Sequence, residues 1–441
     1  MPLWSTCCSG GVMISSSDIQ RLPSVIRFVE QIISKLSGLG SATLNAQRRN
    51  AIVLLPDGID PLDMSDLIRY ELDRRRMQTD LMSLPDYPRT APIVSLSSHF
   101  QLQTVPASCQ ELVNSVGDQL PEVLVIEGIE QIDEEQACAW TRLIEQWCRL
   151  AHQRANKGEV LSSLCVVAPG RSITHQLAHA GHLFLDIHYW WRMPAPAETQ
   201  LLWREQAMES TDPNLSRWRT HILPMIAASD SALLAELSNC SGRTEEIITT
   251  LDQFAQARNW TAARLQAAGG EQLVSGLRQP CVDIQPGTVE ERLWSMGALV
   301  WTPEYAGELH PAALRPLNRQ HELEHRLWRT QVGLLLPIID QVRRQVCDVL
   351  NRGGDPDWAW RYAIPLDEQE AILVRDNPML CGLGHLTRLI HPKGSLGRYS
   401  QWHALAVQAR DLRNRLAHYQ LVTLEEYLGL MHTISHMSCS G

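Results

Sequence analysis

The stretch Ala51-Ile52-Val53-Leu54-Leu55-Pro56-Asp57-Gly58-Ile59-Asp60-Pro61-Leu62-Asp63-Met64-Ser65 decides the fold of the N-terminal half. Its first five residues form a short apolar run, suited to a strand buried on both faces of a parallel sheet. A loop rich in Pro, Gly and Asp follows, and a helix is expected from Met64 to Arg76. Strand, loop and helix in this order is the setting of a phosphate-binding loop of pattern GxxxxGK[ST]. Aligned to that pattern, Gly58 is the first glycine and Ser65 the final hydroxyl, but Asp63 replaces the second glycine and Met64 the lysine. Asp63 sets a negative charge where phosphate oxygens would approach backbone N–H groups. Met64 removes the cation that pairs with the β- and γ-phosphates. Nucleotide hydrolysis is not expected from such a loop.

Working outward, Pro92–Leu96, Val123–Ile126, Leu164–Ala168 and Phe184–Ile187 read as further strands. A helix is expected over Glu134–His152. Glu127 follows the third strand, where a phosphate-loop enzyme places its Mg²⁺-binding acid, and Gly128 beside it has no side chain to activate water. Strands alternating with helices predict an α/β fold with a parallel sheet. Residues 46–200 resemble an AAA+-like P-loop ATPase whose nucleotide motifs have decayed. Gly58, Asp63, Met64, Ser65 and Glu127 are then a degenerate nucleotide site. Element order alone also fits an unrelated α/β domain. A leading helix (17–45) precedes this domain, with Ser17-Asp18 as cap, a stripe from Ile19 to Leu36 and a stop at Gly38 and Gly40. Residues 1–16 read as disordered.

Composition narrows the function classes. The 441 residues are 44% hydrophobic and 20% charged, which suits globular domains with real cores. No apolar run approaches the roughly 20 residues of a membrane span, and the N-terminus does not read as a secretion signal. A cytoplasmic location without membrane association is expected. The cysteines are scattered with no CxxC pair, so neither a disulfide framework nor a zinc site is expected, and no metal or cofactor is assigned. The net charge of −10 argues against general nucleic-acid binding. Lysine occurs only at 35, 157 and 393, so 36 of the 39 basic residues are arginine, a bias that a GC-rich genome also produces.

Beyond Pro194 and Pro196 the chain reads as all-α. Residues 201–280 carry short amphipathic helices like the lid that follows an AAA+ sheet, and 281–319 reads as a linker. From Gln320 a long helical stripe runs through Leu323, Leu327, Val332, Leu335, Leu336, Ile339, Val342 and Val346. A loop containing Trp358 and Trp360 follows. Helices are then expected over Leu366–Arg375, Cys381–Ile390, Trp402–His418 and Thr423–His436, the last opened by a Thr423/Glu426 capping box. Several helices with short connections predict a bundle over 320–437.

Near the end of that bundle stands Arg413-Asn414-Arg415-Leu416-Ala417-His418-Tyr419. Random placement of these arginines and histidines gives about 1.3 Arg-x4-His pairs, and the chain has two, Arg413/His418 and Arg398/His403, so spacing alone is uninformative. Asn414 after the arginine, Ala417 before the histidine and the late position in a bundle distinguish the first pair. The segment resembles the R-N-x-x-x-H motif of HEPN domains, small helical bundles that include many ribonucleases. The resemblance implies metal-independent RNA cleavage at a site made by two bundles, with Arg413, Asn414 and His418 catalytic, and a toxin or anti-phage role. The same two cations also suit a helix C-terminus.

Arg388, Lys393, Arg398, Arg410 and Arg415 surround the motif, opposed in this window only by Asp411, and are expected to guide RNA, although a solvated basic face has the same composition. The expected partners are RNA, a second copy through the C-terminal bundle and a regulatory protein. The alternative function is a non-catalytic scaffold or regulatory subunit of a defence complex.

Overall fold

The computed structural model describes residues 22–38, 48–57, 61–87, 89–170, 184–190, 198–201, 203, 212–228, 230–273, 287–300, 307–353, 357–362 and 368–439. Among them, residues up to 199 together with 255–317 form one compact unit, and residues 200–254 together with 318 onward form the other.

The first unit is a five-stranded parallel sheet. Its strands are β1 (Asn50–Leu55), β2 (Thr79–Ser83), β3 (Val123–Glu127), β4 (Ser163–Pro169) and β5 (Leu185–Tyr189), in spatial order β2-β3-β4-β1-β5. All pairings are parallel, with Val53 opposite Val167 on one side and His188 on the other. From β1 the chain jumps to the far edge, then returns strand by strand toward β1. Right-handed crossovers therefore put the β1–β2 connection on one face and the next two on the opposite face. Helix α2 (Pro61–Arg74) accordingly packs with α1 (Pro23–Ser37) on one face. Helices α3 (Pro92–His99), α4 (Cys109–Val116) and α5 (Glu134–Ala155) pack together on the other. Residues of β1, β3 and β4 are almost wholly buried, as apolar runs in a doubly covered sheet must be.

Pro92–Leu96 is the start of a helix, with Pro92 in its first turn and Ala91 extended before it. Proline is preorganised for that position and cannot donate to a ladder, so Ile93 and Val94 misled the strand reading. The true second strand, Thr79-Asp80-Leu81-Met82-Ser83, lies at the sheet edge with only Met82 buried. An edge strand needs no continuous apolar run, and this one has none. The leading helix begins at Pro23 among the described residues and ends on Gly38 at φ +72°, as a glycine stop requires. Ser17, Asp18 and Gly40 lie outside the described residues, as do 1–16.

Residues 281–319 were expected as a linker. Their described part carries the helix Val289–Ser295, the antiparallel pair β6 (Leu299–Val300) and β7 (Glu308–Leu309), and the turn of helix Pro311–Leu314. Leu293, Trp294, Leu299, Leu309 and Ala312 are buried. The prolines and glycines that suggested a linker punctuate these short elements.

The second unit is all-helical. It contains α6 (Pro213–Ala227), the 33-residue α7 (Gln320–Arg352), α8 (Leu383–Leu389), α9 (His403–Ala417) and α10 (Leu424–Cys439). Helix α7 is the spine, about 50 Å long at 1.5 Å per residue. Helices α6, α8 and α9 pack on it. The bundle thus takes in helices N-terminal to Gln320: Trp218 of α6 lies 4.9 Å from Tyr427 of α10, and the Tyr427 hydroxyl donates to the Asn214 carbonyl. Leu323, Leu327, Leu335, Ile339, Val342 and Val346 face the core as expected. Leu336 is exposed, Val332 is half-buried, and the polar Gln331 is buried in the same stripe. Trp358, read as part of a loop, starts the short helix Trp358–Tyr362 and donates to Asn351 Oδ1 at 2.7 Å. The Thr423/Glu426 box forms, with the Thr423 amide on Glu426 Oε2 at 2.8 Å and the Glu426 amide on Thr423 Oγ1 at 3.2 Å. Among the described residues no helix is long and apolar enough to cross a membrane.

Candidate functional sites

The degenerate nucleotide loop lies at the carboxyl end of β1. Gly58 lies outside the described residues. Asp63 is exposed on the first turn of α2, while Met64 and Ser65 are buried. Glu127 ends β3 and is only 4% exposed. Burial pushes its carboxyl above the usual carboxylate range, opposed by a hydrogen bond from the Ser65 hydroxyl. Nearby Asp66 and Glu130 add to the rise, and Arg69 works against it. The two residues that would share a metal in an intact site therefore hold each other.

The loop's first peptide is also held. The Asp57 amide donates to the Ser295 carbonyl at 2.9 Å, and Arg258 Nη1 donates to the Asp57 carbonyl at 3.0 Å. Gly297, at φ +69°, lets that carbonyl approach, since a Cβ there would sit 2.7 Å from it.

Open parallel sheets take ligands in the crevice outside the carboxyl ends of their strands. Here Trp294, 2% exposed, occupies that edge beside β4, β1 and β5. Gly170 donates to the Leu55 carbonyl and Trp190 to the Leu54 carbonyl, both at 2.8 Å. The Trp294 indole donates to the Trp190 carbonyl at 3.1 Å, and its ring meets Tyr189 edge-on at 5.3 Å. A Cβ on Gly170 would lie 2.5 Å from that ring. Sequence reasoning missed this cap, because nothing local joins Trp294 to strands more than a hundred residues away.

The Arg–His segment closes α9. Its last helical residue is Ala417, and His418 is the C-cap, its amide donating to the Asn414 and Arg415 carbonyls. Tyr419 follows at φ +59°. The side chains of Trp328, Gln331 and Arg415 fix this end of the helix. The Trp328 indole donates to the Leu416 carbonyl at 2.7 Å, and the Tyr419 ring lies 4.5 Å from Trp328. Gln331, 1% exposed, grips the Val422 peptide at both ends: Nε2 donates to its carbonyl and Oε1 accepts from its amide, each at 2.8 Å. Arg415 donates to Glu426 and to the Leu421 carbonyl.

Arg413, Asn414 and His418 all remain exposed. Arg413 Nη1 donates to Asn414 Oδ1 at 3.3 Å, and no described acidic group pairs with either Arg413 or His418. Five residues along a helix turn the chain about 140° beyond one full turn, so Arg413 and His418 leave the helix on different sides.

The residues expected to guide RNA divide. Arg415 is engaged with Glu426 in fixing the helix end. Arg398 lies 5.0 Å over the ring of its neighbour Tyr399. Arg388, Lys393 and Arg410 line one cleft of about 280 Å³, together with His391 and His403. Neither histidine was expected there, and His403 belongs to the Arg-x4-His pair that context had set aside.

The comparisons with known proteins stand beside this geometry. No protein-family model matches the chain, and no curated protein matches it. Among solved structures, the Cdc6p of Pyrobaculum aerophilum is 12% identical at a TM-score of 0.35, covering 73% of this chain and 100% of its own. The Aeropyrum pernix Orc1 protein, solved in complex with DNA, is 13% identical at 0.29, covering 70% and 98%. A point variant of Thermotoga maritima RuvB is 12% identical at 0.30, covering 69% and 95%. At TM-scores under 0.5 these likenesses carry no argument about this chain.

Proposed function

We propose that this protein cleaves RNA at the C-terminal end of α9. The observation that carries the reading is selective availability: Arg410 and Arg415 are tied to acidic neighbours, whereas Arg413, Asn414 and His418 stand exposed without one among the described residues. In this reading the His418 imidazole removes the proton from a ribose 2′-hydroxyl. The 2′-oxygen attacks the adjacent phosphorus, the P–O5′ bond breaks, and the leaving oxygen takes a proton. The products are a 2′,3′-cyclic phosphate and a 5′-hydroxyl. Arg413 pairs with the phosphate oxygens as charge builds on them, and Asn414 orients Arg413. A second copy of the bundle completes the site, because one helix turns Arg413 and His418 apart.

The α/β unit is a regulatory domain in this reading. Its loop carries Met64 in place of the phosphate-binding lysine, and Trp294 covers the sheet edge. Uncontrolled cleavage would harm the host, which fits a toxin or anti-phage effector held in check by a partner. The test is induction of the wild type and of His418→Ala in cells, with growth and RNA integrity followed together. Growth arrest with RNA fragmentation in the wild type alone is expected. Intact RNA in both, under every inducing condition and after phage challenge, contradicts the proposal.

A further inference from the structure

At the opposite end of α9, about 20 Å from His418 by helix rise, the chain builds a second basic site. Helix α8 ends at Leu389, and the chain folds back tightly before α9 begins. The Gly394 amide donates to the His391 carbonyl at 2.6 Å, and the Leu396 amide to the Leu389 carbonyl at 2.9 Å. Gly394 is needed in this turn: a Cβ there would sit 2.4 Å from the Arg388 carbonyl. The result is a fixed hairpin of chain that presents Arg388, His391 and Lys393 toward the first turns of α9, which supply His403 and Arg410.

The imidazoles of His391 and His403 meet edge-on, 5.0 Å between centroids. His391 Nδ1 accepts the Lys393 amide at 3.1 Å, so its neutral form carries its proton on Nε2. Arg410 Nη1 reaches Thr387 Oγ1 at 3.5 Å, and Arg410 Nε and Nη2 donate to Asp411 Oδ1 at 2.9 and 2.7 Å. Asp411 neutralises part of the Arg410 charge. Arg388 and Lys393 have no described acidic partner.

We propose that this cleft binds a terminal phosphate monoester. Two uncompensated cations in one small cleft match the double negative charge of a monoester near neutral pH. Its volume is at the low end for a small-molecule site, enough for a phosphate and part of its carrier. Backbone recognition calls instead for charges spread along a groove with aromatic stacking platforms. The phosphate comes either from the 5′ end of an RNA or from a free mononucleotide. The proposal does not rest on the ribonuclease reading, because it uses none of Arg413, Asn414 and His418.

The His403 imidazole makes the binding pH-dependent. His403 is held below the usual histidine range by desolvation, by His391 and by Arg410. It is neutral at pH 8, and a bound dianion favours its protonation. Affinity therefore rises as pH falls below 8, until the phosphate itself begins to take a proton near pH 6.

The test is calorimetric titration of the full-length protein with 5′-AMP, adenosine, and a short RNA bearing either a 5′-phosphate or a 5′-hydroxyl. The 5′-phosphorylated ligands are expected to bind at least tenfold tighter than their dephosphorylated forms. Arg388→Gln and Lys393→Gln, both at exposed positions, are each expected to weaken them about tenfold, and His418→Ala to leave them unchanged. Phosphorylated RNA binding more tightly than AMP assigns the site to RNA ends, and equal binding assigns it to nucleotides. Equal affinity with and without the 5′-phosphate, or an unchanged affinity in the Arg388→Gln/Lys393→Gln double variant, overturns the proposal.

Discussion

Replacing Gln331 with leucine tests how the helical unit holds its exposed Arg–His segment. Gln331 sits on the buried face of α7, and both its amide atoms engage the Val422 peptide at 2.8 Å. Leucine has nearly the same bulk and suits a helix, so packing and propensity change little. What changes is that a buried N–H and a buried C=O lose their partners. Each unpaired group costs about 1–3 kcal/mol, giving roughly 2–6 kcal/mol in all. The α9–α10 connection then opens more readily, so Val422 and its neighbours lose protection from amide exchange. At about 1.4 kcal/mol per factor of ten, protection falls by about 30-fold to roughly 20,000-fold. Hydrogen exchange of the peptide spanning 419–427 measures this directly, with the β1 peptide as an internal reference that stays unchanged. Exchange in 419–427 unaltered by the substitution would refute the reasoning, because the two hydrogen bonds would then carry no stability.

Two further outcomes follow from the α/β unit. Glu127→Gln is expected to stabilise the protein near pH 7. Burial raises the Glu127 carboxyl in the fold, so its contribution to stability is full below the unfolded carboxylate value and is lost as pH rises through the raised folded value. The neutral amide removes that loss, and thermal unfolding between pH 4 and 7 should show a flatter pH profile than the wild type. Trp294→Ala is expected to cost about 3–5 kcal/mol, from a buried indole that leaves a cavity and an unpaired Trp190 carbonyl. Urea unfolding read by tryptophan fluorescence checks it, and a loss below about 1 kcal/mol would mean that the ring does not cap the sheet edge.

Much of the parallel sheet was legible in the sequence, because central strands buried on both faces must be short apolar runs. Ala51–Leu55, Val123–Ile126 and Leu164–Ala168 could hardly be anything else. The edge strand Thr79–Ser83 was hidden for the same physical reason: half-exposed, it keeps its polar residues and looks like a loop. Pro92 marked the start of a helix, but the β-branched pair after it outweighed that signal. In the helical unit the apolar stripe of α7 was readable, whereas Gln331 was invisible. A polar residue on a buried face registers as a fault in the pattern until its partner, 91 residues away, is known. That Arg413–His418 closes a long helix was readable from local sequence. The basic cleft was readable only in part: Arg388, Lys393 and Arg410 stood out by charge, but the turn that brings His391 to His403 depends on Gly394 and on packing between helices.

The most direct test of RNA cleavage at the end of α9 is the chemistry of the product ends. Purified full-length wild type and His418→Ala are incubated with a defined single-stranded RNA, and the fragments are resolved by mass spectrometry. The account predicts fragments ending in 2′,3′-cyclic phosphate with matching 5′-hydroxyl ends from the wild type, and a loss of at least a hundredfold in rate for His418→Ala. Fragments with 3′-hydroxyl and 5′-phosphate ends, or equal cleavage by the two proteins, would contradict it.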